Sequence, residues 1–271
     1  MAEKERLDQL LVQREFFSSR EQAKAAIMAG LVRVDGEREE KAGTRVLLDA
    51  NIAVQQPLHP YVGRGGLKLE RAIHVFALRL EGRVVLDVGA STGGFTDCAL
   101  QHGASLVFAV DVGYGQLAWR LRNDPRVVVM ERSNFRYMKA EDFTPQPNLA
   151  TVDVSFISLT RILPVLKQVL EPPGEIVALV KPQFEAGRQR VGKNGVVRDA
   201  KVHVEVLLDI ALFALNLGLH CLGVAPSPIK GGEGNREFLM HLSVAAIDGR
   251  QPLLEEDLQR AISAAVYHES M

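Results

Sequence analysis

Cysteine is nearly absent from this chain of 271 residues: Cys98 and Cys221 are the two present, far apart and without metal-ligand spacing. That excludes a disulfide scaffold and reads as two buried thiols in a reducing compartment. No stretch approaches the roughly 18 consecutive apolar residues that cross a bilayer. The start, Met1-Ala2-Glu3-Lys4-Glu5-Arg6, has no apolar segment of a secretion signal behind it, so a cytoplasmic protein is expected. Net charge is −1, which leaves no global field to draw the molecule to nucleic acid, and such binding must come from local patches. Repeats and low-complexity tracts are missing, and no His, Cys and carboxylate cluster suggests a metal. Two nucleotide signatures are missing as well. No Gly-Lys-Ser/Thr phosphate loop occurs, and G-x-G-x-x-G fails because Ser91 stands where its second glycine belongs.

What remains is an ordinary globular composition, 47% hydrophobic and 24% charged, long enough for one large domain and a small one. Its most informative segment runs from Leu86 to Asp97, Leu-Asp-Val-Gly-Ala-Ser-Thr-Gly-Gly-Phe-Thr-Asp, an apolar run that turns on three glycines into a helical pattern. Glycines let backbone approach a ligand where a Cβ would clash, and the following helix turns unsatisfied N–H groups to the same place. A second run, Ser105 to Val110, ends at Asp111, placed to accept hydrogen bonds from both hydroxyls of a ribose. A ribose-binding acid without a pyrophosphate cradle suits S-adenosylmethionine, with Asp87 near the cofactor's amino group. The candidate cofactor contacts are Asp87, Gly89, Ser91, Thr92, Gly93, Gly94, Phe95, Asp111, Asn134 and Asp153.

The first residues form a separate module. Leu7, Leu10 and Leu11 share a helical face, and Ser18-Ser19-Arg20-Glu21 is a capping box for a second helix with Ala23, Ala26 and Ile27 inward, stopped at Gly30. Short strands are expected at Leu31 to Val34, Arg45 to Leu48 and Asn51 to Val54. Pro57 and Pro60 mark the exit, giving a small α+β domain over 1–57, a linker over 58–66 and a large domain over 67–271. In the large domain, apolar runs at 84–88, 106–110, 127–130, 150–152, 176–180, 219–224 and 238–244 alternate with helices such as Ser158 to Leu170 and Ala200 to Leu217. That pattern predicts an α/β, Rossmann-like fold with a mostly parallel sheet and a ligand site at the strands' carboxyl ends. A last helix, Leu254 to Val266, turns Leu258, Ile262 and Val266 to the domain surface.

Charged residues stand at strand tips: Asp153, Lys181 and, before the last run, Glu237, with Lys68 ahead of the glycine turn. Pro182 biases Lys181 to an extended backbone at its tip. Singly, each reads as a solvated charge; their coincidence with a cofactor turn makes them candidates for chemistry. The segments Tyr61 to Leu69, Asp87 to Phe95, Asp111 to Ala118, Asp153 to Ser158, Lys181 to Glu185 and Gly234 to Glu237 resemble the TlyA family, ribosomal RNA 2′-O-methyltransferases with an FtsJ-like catalytic domain that often carry the name haemolysin. The first module, with Leu7-Asp8, Ser19-Arg20, Gly30-Leu31-Val32 and Val34-Asp35-Gly36, looks like the RNA-binding domain of ribosomal protein S-four. The resemblance spans nearly the whole chain. It implies that Lys68, Asp153, Lys181 and Glu237 are a catalytic Lys-Asp-Lys-Glu set, with ribosomal RNA or ribosomal subunits as partner and cytidine as target.

For such chemistry Lys181 is the candidate to assist the ribose hydroxyl, since a lysine near a second cation and partly desolvated can lose its charge. Asp153 and Glu237 would orient the lysines and Lys68 steady them. The candidate RNA contacts are Arg6, Arg14, Ser19, Arg20, Lys24 and Arg33 in the small module, and Arg64, Arg188 and Arg190 beyond it. Against them, residues 1–62 hold nine Lys/Arg and ten Asp/Glu, as a merely solvated face would. A monomer is expected. The rivals are a membrane-active haemolysin-like protein, disfavoured by the absent signal and span, and a methyltransferase for a small molecule, which would leave the first module without purpose.

Overall fold

The computed structural model describes residues 4–17, 19–28, 30–54 and 59–267, and the chain divides into two compact units, Met1–Pro60 and Tyr61–Met271. In the first unit, β1 (Lys4–Arg6) leads into α1 (Leu7–Gln13), and α2 (Arg20–Met28) packs against α1. The expected faces meet: Leu7, Leu10 and Leu11 are buried with Ala23, Ala26 and Ile27. Ser19 Oγ accepts the Gln22 N–H at 3.3 Å and so opens α2, while Ser18 lies outside the described residues. β2 (Val32–Val34) turns through Asp35 and Gly36, both at positive φ, into β3 (Glu37–Arg38). β4 (Arg45–Leu47) pairs with β1, and β5 (Ile52–Val54) pairs with β2. The sequence reading has no β1 or β3: both are charged throughout, Lys4-Glu5-Arg6 and Glu37-Arg38, and carry no apolar residue to mark a strand.

The second unit starts earlier than expected. Residues 61–66, read as linker, are packed into it: Tyr61 is buried and its hydroxyl donates to Glu70 Oε1 at 2.8 Å, and the Val62 N–H donates to Asp97 Oδ2 at 2.7 Å. Pro57 lies outside the described residues, and after Pro60 an aromatic and a buried acceptor recapture the chain at once. α3 (Gly65–Val75), which the sequence reading lacks, follows directly.

Then come β6 (Val84–Val88), α4 (Gly94–Gln101), β7 (Leu106–Val110), α5 (Trp119–Arg122), β8 (Val127–Met130), β9 (Leu149–Val152), α6 (Leu163–Val169), β10 (Glu175–Val180), α7 (Pro182–Glu185), α8 (Ala200–Asn216), β11 (His220–Pro226), β12 (Phe238–Ser243) and α9 (Glu255–Tyr267). The sheet order is β11-β12-β10-β9-β6-β7-β8, parallel except for β12, which runs antiparallel to both neighbours. All seven expected runs are strands. The expected helix from Ser158 is broken into a 3₁₀ turn, Leu159–Arg161, and α6, because Pro164 can sit only in a first turn.

Alternation along β6 sends Leu86 and Val88 to the core under α6, α8 and α9, and Val85 to the core under α3 and α4. Cys98 and Cys221 are both buried and unbridged. Chain order reverses at β6, with β7 on one side and β9 on the other, and a doubly wound sheet opens its crevice at such a point.

Candidate active site

The glycine turn lies at that crevice. The Gly89 N–H donates to Val110 O across β7, and the Asp153 N–H donates to Val88 O from the β9 side. Gly89 has φ +87°, and a Cβ there would lie 2.7 Å from Asp153 O, so only glycine lets the two strand ends close together. Gly93, at φ +95°, caps α4 in the left-handed region against Leu121 and Leu117. Between them Ser91 donates its N–H to Asp111 Oδ2 at 2.8 Å, and Gly113 donates to Asp111 Oδ1 at 2.7 Å. The acid expected to hold a ribose is thus fixed at the turn, each oxygen keeping a lone pair for a further donor.

Gly89, Ser91, Thr92, Gly94 and Phe95 line one cleft of about 560 Å³. The same cleft takes Lys68 from α3, Asp153 after β9, Lys181 after β10 and Glu237 before β12, so the structure unites all four candidate catalytic residues. They form a chain of alternating charge. Lys181 Nζ lies 2.6 Å from Asp153 Oδ1, Lys68 Nζ 3.4 Å from Asp153 Oδ2, and Lys68 Nζ 2.8 Å from Glu237 Oε2. Lys68, Lys181 and Glu237 are buried, and four compensating charges make that burial tolerable. Pro182 opens α7 and leaves Lys181 extended (φ −112°, ψ 101°), as its sequence position predicts.

Four cofactor candidates are not among the cleft-lining residues: Gly93 and Asp111, which are fixed in and behind the turn, and Asp87 and Asn134. Asp87 does not reach the cleft: it is fully buried, its oxygens accepting the Thr96 hydroxyl at 2.6 Å and the Thr151 hydroxyl at 3.0 Å. Burial pushes its carboxyl up to about 6, against the two threonine hydrogen bonds. It joins β6, β9 and α4 beneath the turn. Asn134 caps a 3₁₀ turn by accepting the Arg136 N–H at 3.2 Å and is not among the cleft-lining residues.

The RNA candidates are more tied down than the sequence suggests. Asp8, fully buried, accepts from Arg6 at 3.0 Å and from Arg20 at 2.9 Å, and the Arg6 hydrogen bond leads in holding its carboxyl down at about 2. Both guanidinium groups remain nearly half exposed, a fixed cationic pair. Lys24 is half-buried on α2. Arg14 spends donors on the carbonyls of Ala50 and Leu48, and Arg33 on Gly36 O. In the second unit Arg64 donates to Lys230 O, Arg190 pairs with Glu205 at 2.6 Å, and Arg188 is exposed.

Among the cleft residues that sequence reasoning missed are Ser155, Phe156 and Asn235. Ser155 Oγ accepts from Lys181 Nζ at 2.9 Å. Phe156 is 90% exposed at φ +64°, tilted on Phe184 with ring centroids 5.0 Å apart. A bulky residue in that conformation stores strain, which marks functional sites, and no residue type announces it. Asn235 is buried; its amide donates to Gly195 O and its carbonyl accepts the Val197 N–H, tying the segment after α7 to the residues that lead through Glu237 into β12.

The profile of the FtsJ-like methyltransferase family matches residues 61–244, and that of the S4 domain matches residues 5–52. This chain belongs to the FtsJ-like methyltransferase family. Among its relatives is the 16S/23S rRNA (cytidine-2'-O)-methyltransferase TlyA of Mycobacterium tuberculosis, 45% identical over 97% of this chain and 99% of that protein. Hemolysin A of Brachyspira hyodysenteriae is 40% identical over 88% of this chain and all of its own length. A solved structure from Streptococcus thermophilus superposes with a TM-score of 0.73 at 47% identity, covering 98% of this chain and 96% of its own.

The family's methyl donor, S-adenosylmethionine, fits the residues present. The turn offers a cradle that a Cβ at Gly89 would distort, an anchored carboxylate at Asp111 and the N-terminus of α4. Among the described residues no helix is long and apolar enough to cross a membrane.

Proposed function

We propose that this enzyme methylates the 2′-hydroxyl of a cytidine in ribosomal RNA, in the cytoplasm and as a single copy. The observation that carries the reading is Lys181 Nζ held between Asp153 and Ser155 in the cleft that contains the glycine turn. The cytidine is taken from the name of the relative in M. tuberculosis.

The bound cofactor supplies an electrophilic methyl group on a sulfonium. A ribose hydroxyl is a weak nucleophile at neutral pH, so this chain's task is alignment and removal of one proton. Once it has released its own proton to solvent, the neutral Lys181 Nζ accepts the hydroxyl proton as the oxygen attacks. Asp153, 2.6 Å away, orients that nitrogen and stabilises the ammonium that results. Lys68 and Glu237 continue the chain and keep Asp153 from swinging toward solvent. The exposed ring of Phe156 offers the unpaired base a stacking face, and the Arg6–Asp8–Arg20 cluster of the S4 domain presents paired cations to the phosphate backbone.

Single-turnover methyl transfer from labelled cofactor to ribosomal RNA tests the role of Lys181. Lys181→Ala should lose at least about 10²-fold in rate with cofactor and RNA affinity retained, because general-base help is realised in the transition state. Lys181→Arg should fail equally, since a guanidinium does not release its proton. Full activity in Lys181→Arg would reduce position 181 to a positive charge and sink the proposed base.

A further inference from the structure

α9 lies beyond residues 61–244, the stretch that the FtsJ-like profile matches, yet it is wired to the catalytic strand. Its inner face, Leu258, Ile262, Ala265 and Val266, is buried in the same core as Phe238 of β12. Just before β12 the side chains alternate. Asn235 and Glu237 line the cleft, whereas Arg236 leaves on the opposite side and lies over the Phe238 ring, 5.5 Å from its centroid. There its guanidinium donates to Val266 O at 2.8 Å and to Ala265 O at 3.4 Å.

Those carbonyls belong to the last turn of α9, where helix acceptors have no partner in the helix and the negative end of the dipole favours a cation. A planar fork that meets two of them fixes its own backbone more tightly than an apolar side chain could. The neighbouring residue fixed in this way is Glu237, whose carboxylate stands 2.8 Å from Lys68.

We propose that α9 is a brace for the active site and that Arg236 is a positioning residue. By gripping the carboxyl end of α9 it sets the start of β12 so that Glu237 reaches Lys68. The idea rests on the methyl-transfer reading of the Lys-Asp-Lys-Glu set. It goes beyond that reading by giving work to a helix outside the matched stretch and to a residue that is not among those lining the cleft.

A double-mutant cycle on the full chain tests it, using single-turnover methyl transfer to ribosomal RNA and calorimetric cofactor binding. Arg236→Met should slow transfer by about 10- to 100-fold, the scale of an ångström's misplacement, with cofactor affinity within about two-fold. Arg236→Lys should recover most of the rate, because an ammonium can still meet Val266 O. In an Glu237→Gln background Arg236→Met should add less than about two-fold, because its effect runs through the group already disabled. Should Arg236→Met not fold, Arg236→Gln, which keeps one donor group, carries the same cycle. Wild-type transfer in Arg236→Met, or a loss undiminished in the Glu237→Gln background, would overturn the brace alone. Full activity in Glu237→Gln would overturn the catalytic set and the brace with it.

Discussion

Replacing Asp87 with asparagine removes a charge that the fold holds at a cost. The carboxyl is fully buried, and burial outweighs the Thr96 and Thr151 hydrogen bonds to push it up to about 6. In the unfolded chain an aspartate titrates near 3.9. The folded state therefore binds more protons between these values, and stability falls as pH rises through the window, the loss being complete above about 6. Two units correspond to about 3 kcal/mol. An amide is neutral throughout; its oxygen can accept one threonine hydroxyl, and the other hydroxyl can rotate to accept from its NH₂. Asp87→Asn should match the wild type near pH 4 and exceed it by up to about 3 kcal/mol at pH 8. Urea unfolding followed by circular dichroism at several pH values reads that difference. A difference that stays flat with pH, or turns against the variant as pH rises, would refute the buried-charge argument. Cofactor affinity measured on the same variant addresses the sequence expectation: a ten-fold loss would return Asp87 to the cofactor's amino group.

Gly93→Ala places a methyl 2.3 Å from Leu121 Cδ1 at φ +95°, so strain and overpacking together should remove about 2–4 kcal/mol, and an unchanged melting temperature would refute it. Asp8→Asn breaks the grip on Arg6 and Arg20. Because the Asp8 carboxyl is held down at about 2, its contribution is present above about pH 4 and lost as pH falls toward 2. With half-exposed partners that contribution is roughly 1 kcal/mol, so unfolding curves of variant and wild type should differ at pH 7 and converge near pH 2.

The strands were legible because a sheet covered on both faces needs unbroken apolar runs, and each run here sits between turn residues. Asp153 and Lys181 were legible for the same reason, a charge ending an apolar run being conspicuous. Lys68 was less so, since α3 offers no strand tip and only its place ahead of the glycine turn, and then the family resemblance, marked it. Phe156 has no sequence signal, because its distinction is a backbone angle and an exposed ring. The domain boundary was misplaced by six residues because prolines are visible in a sequence whereas the acceptor that recaptures Val62, Asp97, lies 35 residues away.

Asp87 shows what strand parity adds to the same rules. Side chains alternate along a strand, and in β6 Leu86 and Val88 point to one core while Val85 points to the other. Asp87 must share the face of Val85, the face that α3 and α4 cover, so parity alone directs it under α4 and away from the cleft at the strand's end. Thr96, two residues into α4 from Gly94, is then the natural donor, and its hydroxyl lies 2.6 Å from the carboxylate. An acid at a strand's last residues faces a ligand only when its parity leaves the face uncovered. Asp153 meets that condition by standing one residue past the end of β9, where no helix covers it and Lys181 and Lys68 can both reach it.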